Sequence, residues 1–112
     1  MEPQKRVVKT LVSGGKDRVE DWLNSLQDAA ARIAVSQRII RVTDGNFGDH
    51  RAVGDGVWEL RVHYGPGYRV YFGRDGETLI ILLAGGTKRR QQKDVEAAQM
   101  RWADYKRRKR GT

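Results

Sequence analysis

VWELRVHYGPGYRVYF, residues 57–72, alternates apolar and polar side chains on both sides of a glycine–proline–glycine bend. Side chains in an extended strand point to opposite faces with a period of two. Trp58, Leu60, Val62 and Tyr64 therefore share one face, and Val57, Glu59, Arg61 and His63 the other. Gly65-Pro66-Gly67 reads as a three-residue turn between antiparallel strands. If that turn closes with Tyr64 opposite Tyr68, Val62 meets Val70 and Leu60 meets Phe72 on the apolar face. The polar face then pairs His63 with Arg69 and Arg61 with Tyr71. The apolar pairs are expected under helices, and the polar pairs outward or in a groove.

The rest of the chain arranges itself around this hairpin. Downstream of the strand Tyr68 to Phe72, Asp75-Gly76 marks another tight turn. Thr78 to Ala84 is almost wholly apolar, as a central strand should be, and Gly85-Gly86 is expected to break it. Upstream, Val7 to Val12 reads as a first strand. From Lys16 to Leu26 the period changes: Val19, Trp22, Leu23 and Leu26 fall at i, i+3, i+4 and i+7, a helix stripe. Asp28 can cap a second helix running to about Val42, in which Ala29, Ala30, Ala31 and Ala34 favour helix and Val35, Ile39 and Val42 form a packing line. The short connection predicts an antiparallel helical hairpin. Gly45 to Gly56 is a glycine-rich link with a short strand near Arg51 to Val53. A last helix from about Gln92 buries Val95, Ala98, Trp102 and Tyr105, and Arg107 to Arg110 read as its frayed end. The expected fold is α+β: an N-terminal strand, a helical hairpin packed on a small, mostly antiparallel sheet, and a C-terminal helix. One domain over residues 1–112 is expected, with a basic tail from about residue 106. Trp22, Trp58 and Trp102 are assigned to the core.

The chain carries a net charge of +8. From Thr87 to Thr112 ten Lys or Arg stand against Asp94, Glu96 and Asp104, so +7 of that charge lies in the C-terminal quarter. Charge of this sign and size points to nucleic acid first and an acidic protein partner second. The absence of Cys excludes disulfides and thiolate metal sites. With no cluster of carboxylates, a two-metal nuclease has nothing to hold its ions, and neither metal nor cofactor is expected. MEPQKRVVKTL at the N-terminus lacks a signal-peptide core and no apolar run is long enough to span a membrane, so the cytoplasm is the expected location.

Two arginines on one sheet face suit a planar oxyanion, because guanidinium forks match phosphate geometry. Arg61 and Arg69 are the candidates, with Lys88 brought to the same surface after the double glycine. Tyr71 is a candidate for orienting a phosphate oxygen or moving a proton, adjacent arginines being expected to lower its pKa from about 10. His63 has the reference pKa suited to proton transfer near neutrality. The plainer readings stand beside these. Arg61 and Arg69 can pair with Glu59, Asp75 or Glu77; Tyr71 can be an ordinary sheet residue; His63 can be a solvated partner; the basic tail can be a solvated face.

Residues 45–72, GNFGDHRAVGDGVWELRVHYGPGYRVYF, together with residues 82–98, LLAGGTKRRQQKDVEAA, resemble the phage-derived, addiction-module killer (HigB-like) branch of the RelE/ParE toxin superfamily. The upstream WLNSL and the RII-R helix fit the same branch, so the resemblance spans roughly residues 5 to 105. The resemblance implies a toxin of a type II toxin–antitoxin module that cuts mRNA on the ribosome without metal, by attack of a ribose 2′-hydroxyl on the adjacent phosphate. Carried onto this chain, it implies Arg61, Arg69, Lys88 and, as a further candidate, Tyr71 as catalytic groups, to which His63 is added on its own chemistry. It further implies Arg61, Arg69, Lys88, Arg89 and Arg90 as nucleic-acid contacts, and Lys93 with the basic tail is expected on charge to hold RNA backbone. A cognate helix-turn-helix antitoxin is implied as partner, with DNA contacted only through the antitoxin complex. RelE has a catalytic tyrosine near its C-terminus, where this chain continues with Gln91, Gln92 and Asp94, and some relatives carry a histidine that is absent here. Two rivals therefore stay open: a ParE-like gyrase inhibitor and a non-enzymatic nucleic-acid-binding module.

Overall fold

The computed structural model describes residues 4–111. Along these the chain forms β1 (Val7–Thr10), β2 (Val12–Ser13), β3 (Lys16–Asp17), α1 (Arg18–Ser25), α2 (Ala29–Thr43), β4 (His50–Ala52), β5 (Val57–Val62), β6 (Tyr68–Asp75) and β7 (Leu79–Thr87). A short 3-10 turn at Lys88–Arg90 then leads into α3 (Gln91–Arg110). The main sheet has the order β1-β7-β6-β5-β4 and is antiparallel except where β1 runs parallel to β7. β2 and β3 form a separate two-stranded hairpin. The fold is α+β, as expected.

Local chemistry sets the helix ends. Asp17 caps α1 by accepting the Glu20 amide at 3.0 Å, and Asp28 caps α2 by accepting the amides of Ala30 and Ala31 at 2.9 and 3.3 Å. α2 closes in a Schellman motif: the Gly45 amide bonds to Val42 O and the Asn46 amide to Arg41 O, with Gly45 at φ +85°. These helices lie on one side of the sheet, where Val19, Val35 and Val42 pack on Leu60, Val70, Phe72 and Ile80. α3 covers the other side, where Ala98 and Trp102 pack on Val57, Tyr71, Ile81 and Leu83. With side chains such as Leu60 and Phe72 wholly buried, each contributes about 1.5–3 kcal/mol.

The expected strand faces survive, but four expectations need correction. The hairpin register is two residues away from the expected one: Val62 faces Tyr68, Arg61 faces Arg69, Leu60 faces Val70 and Glu59 faces Tyr71. The connection is thus the five residues from His63 to Gly67, and a shift of two keeps every side chain on its face. The first strand ends at Thr10, and Val12 turns into the small β2–β3 hairpin. Arg107 to Arg110 are helical rather than frayed, because Arg108 donates to Ser13 Oγ at 2.8 Å and Lys109 to Asp75 Oδ1 at 2.5 Å. Finally, Gly85-Gly86 does not break β7, which continues to Thr87.

The reason for the glycine pair lies across the sheet. A Cβ on Gly85 would stand 2.1 Å from the Trp22 ring, and one on Gly86 1.9 Å from the Asp94 carboxylate. Gly73 likewise makes room for Trp102, whose ring would be 2.5 Å from a Cβ there. A bulge at Leu83, between Leu82 opposite Phe72 and Ala84 opposite Tyr71, reverses the parity of β7 and turns Gly85 to the Trp22 side. Trp102 is buried, whereas Trp22 and Trp58 are half-buried at the core margin.

The Trp22–Gly85 contact predicts strong coupling. Gly85→Ala should cost about 1–3 kcal/mol by overpacking in urea unfolding, and the cost should vanish on a Trp22→Ala background. An equal cost on both backgrounds would show that the ring does not set the requirement.

Candidate nucleic-acid interface

β4, β5 and β6 place three arginines on the α3 side of the sheet. Arg51 sits opposite Glu59, and Arg61 opposite Arg69. Like charges directly opposite one another destabilise a sheet. Glu59 relieves this: its Oε1 accepts from Arg69 Nη1 at 2.8 Å, Arg51 Nε at 3.1 Å and Arg61 Nε at 3.3 Å. Its Oε2 accepts from Gln91 Nε2 at 2.8 Å, at the first residue of α3. The Glu59 side chain is 0% exposed. Burial is the largest influence on its pKa and pushes it up, but the Arg69 charge and the bonds from Arg51, Gln91 and Arg61 together hold it below its ordinary value. Glu59 is therefore a carboxylate at neutral pH.

A second buried charge fixes the backbone of this region. Arg38 of α2 donates through Nε to Arg61 O at 3.0 Å and through Nη2 to Phe47 O and Asp49 O at 2.5 and 3.1 Å. It ties α2 and the loop before β4 to the backbone of β5. Burial first, and then the neighbouring Arg41, lower its pKa against the pull of Asp49. Gly48 is needed beside it, since it holds φ +55° and a Cβ there would lie 2.8 Å from Arg38 Nη2.

Where α3 begins, its cover over the sheet ends and a groove of about 410 Å³ opens, lined by Arg61, His63, Tyr64, Tyr68, Arg69 and Lys88 together with the bend. The Lys88 amide donates to Gly67 O at 3.3 Å, so the bend and the segment after β7 form its two walls. The Tyr64 hydroxyl reaches Asp28 Oδ2 at 3.3 Å and anchors the bend to the α2 cap. His63 is exposed, and its Nε2 lies 2.6 Å from Asp49 Oδ2. The hydrogen bond from His63 is the main influence holding Asp49 below the usual carboxylate range, with the Arg61 charge assisting against desolvation. With Nε2–H given to Asp49, Nδ1 is the imidazole's proton acceptor.

Four of the expected residues, Arg61, Arg69, His63 and Lys88, share this groove. Arg61 and Arg69 pair with Glu59, not with Asp75 or Glu77, so the plainer reading of the two arginines describes their contacts. Arg69 is largely sheltered, at 11% side-chain exposure, while Arg61 keeps 32% and bonds to Glu59 through Nε alone. Tyr71 is elsewhere: it is 0% exposed beneath α3. Burial, followed by the Glu59 charge, raises its pKa, opposite to the lowering expected from adjacent arginines, so Arg69 is outweighed. Arg89, Arg90 and Lys93 are exposed on the 3-10 turn and the first turn of α3, outside the groove. Sequence reasoning missed Arg51, Gln91, Asp49 and Arg38. Only Arg51 carried a signal, as a strand arginine on the face that Glu59 and Arg61 also occupy.

No group of three or more His, Cys, Asp or Glu able to hold a metal occurs among the described residues, and no helix among them is long and apolar enough to cross a membrane. A family model described as phage-derived protein Gp49-like matches residues 21–108. The chain is also 43% identical over 81 residues to an uncharacterized protein of Haemophilus influenzae, a match covering 72% of this chain and 82% of that protein.

The depressed Glu59 pKa predicts acid sensitivity with a definite sign. Its stabilisation is fully present above the ordinary value of 4.5 and is lost as pH falls through the lower folded value. Glu59→Gln should cost about 3 kcal/mol at pH 7 in urea unfolding, and the gap to wild type should narrow steadily below pH 4.5. A gap unchanged down to pH 3 would contradict the paired carboxylate (~3 being well below the ordinary glutamate range).

Proposed function

The chain belongs to the Gp49-like family of phage-derived proteins, a toxin–antitoxin-related family, and on that footing we propose that it is the toxin of a type II module that cuts mRNA on the ribosome. The observation that carries this reading is the groove: Arg61, Arg69 and Lys88 converge with His63, whose Nδ1 can accept a proton while Nε2 is held by Asp49. In this reading Arg61 and Lys88 contact the scissile phosphate and stabilise the charge that grows on it. His63 Nδ1 takes the proton of the attacking 2′-hydroxyl, with Asp49 fixing the tautomer; the 2′-oxygen bonds to phosphorus as the P–O5′ bond breaks, and the 5′-oxygen leaves with a proton from water. Tyr71, being buried, has no part in it. Assignment to the HigB-like branch of the RelE/ParE superfamily belongs to the same proposal, as do a helix-turn-helix antitoxin, contact with DNA only through that complex, and action in the cytoplasm.

A further observation supports an anion here. Lys88, Arg89 and Arg90 stand at the N-terminus of α3, which has no side-chain cap. Cations are disfavoured at that end of a helix, and anions favoured. Arg89, Arg90 and Lys93 are proposed to hold RNA backbone beyond the groove without reading sequence.

Purified protein with programmed ribosomes in EDTA should give defined mRNA cuts ending in 2′,3′-cyclic phosphate. Arg61→Ala should lower the cleavage rate about 100-fold or more, and His63→Ala by about 100-fold or more. Tyr71→Phe should cleave at nearly the wild-type rate. Intact mRNA together with blocked gyrase supercoiling would overturn the reading in favour of a gyrase inhibitor, and RNA binding without product would favour a binding module.

A further inference from the structure

We propose that Glu59 is a positioning residue of the groove and that Arg51, which lines the neighbouring depression with Gln91, extends its cationic surface, so that a nucleic-acid phosphate is received by Arg61 and Arg51 while the sheltered Arg69 anchors the shared carboxylate. The inference rests on reading the groove as the RNA surface, and it adds how that surface is built.

The stoichiometry of the cluster is its first support. A structural ion pair in a protein interior is matched, because an unmatched buried charge is costly. Here three guanidiniums share a single carboxylate oxygen, and the second oxygen is met by Gln91, a neutral donor. A second carboxylate, Asp49, lies 4.0 Å from Arg61 Nη1 and is bonded to His63, and Glu96 lines the same depression as Arg51. Lys88 adds another cation on the groove wall. The cluster therefore carries more guanidiniums than carboxylates where Arg51 and Arg61 meet solvent, a surplus that a bound phosphate would match.

The bonding pattern is the second support. Arg51 and Arg61 give Glu59 their Nε atoms. That holds each guanidinium by its inner edge and leaves both Nη groups uncommitted to Glu59. A guanidinium presents its donors in a planar fork suited to phosphate oxygens. Arg51 is half-exposed, at 50% of its side chain, so its outer edge is open to solvent. Arg61 and Arg69 sit directly opposite each other and would repel without a shared anion. Glu59 converts that repulsion into a fixed arrangement across β4, β5 and β6.

Binding of a mixed-sequence single-stranded RNA of about 12 nucleotides, followed by fluorescence anisotropy over a range of salt, separates positioning from simple charge, because the groove is expected to bind RNA backbone in a salt-dependent way. Glu59→Gln removes a negative charge beside the groove, and electrostatics alone would tighten RNA binding. Positioning predicts the opposite: affinity about tenfold lower, and a log–log salt slope shallower by about 0.7 to 1.4, equivalent to one or two lost phosphate contacts. Arg51→Lys keeps the charge but not the fork and should bind about threefold or more weakly. Circular dichroism and thermal unfolding verify that each variant folds; should Glu59→Gln fail to fold, unchanged affinity in Arg51→Lys overturns the proposal. Tighter binding by Glu59→Gln, with Arg61→Ala weakened, overturns this inference and leaves the RNA surface standing. A wild type that binds no RNA overturns both.

Discussion

A carboxylate with no exposure to water is tolerable only where several donors meet it, and Glu59 meets donors from β4, β5, β6 and the first residue of α3. One side chain thereby links the arginines of three strands at one end of the sheet to the first residue of the last helix. The groove follows from that choice. α3 cannot advance over the arginines while Gln91 is bonded to Glu59, so the sheet beyond it stays open between the bend and Lys88.

Away from the cluster, close packing holds the layers. Trp22 rests on Gly85 and Trp102 on Gly73, from opposite sides of the sheet. Trp102 also stacks on Tyr105, with ring centroids 5.1 Å apart and planes 9° from parallel. The Tyr105 hydroxyl is 2.5 Å from Asp75 Oδ2, a bond that, with desolvation, pushes its pKa up to about 12. α3 is thus fixed at its start by a buried charge cluster and near its end by a hydrogen bond, and the sheet face between them is buried. Arg38 fixes the opposite side, joining α2 to the Arg61 carbonyl.

Much of this was legible from local pattern. The alternation of residues 57–62 assigned Leu60 and Val62 to one face and Glu59 and Arg61 to the other, and a register two residues from the expected one left those faces intact. The Asp28 cap and the Val95–Ala98–Trp102–Tyr105 stripe of α3 were equally local. What could not be read was the partner of each face. Tyr71 shares a sheet face with Arg61 and Arg69, and only the docking of α3 shows that it is buried while Arg61 is not. Gly85-Gly86 reads as a strand break from propensity, yet its cause is a tryptophan and an aspartate from distant segments. Arg38 gave no signal because its acceptors are backbone carbonyls.

Arg61 and Arg51, each held by its inner edge on one buried carboxylate with outer edges turned to solvent, fix where an RNA phosphate should go. A crystal structure of the chain with a short RNA made uncleavable by 2′-O-methyl groups tests it most directly. The account predicts a phosphate bonded to the Nη groups of Arg61 and Arg51, with Glu59 still accepting from Nε of both. RNA bound away from this groove, or Glu59 displaced from the arginines by the phosphate, would contradict it.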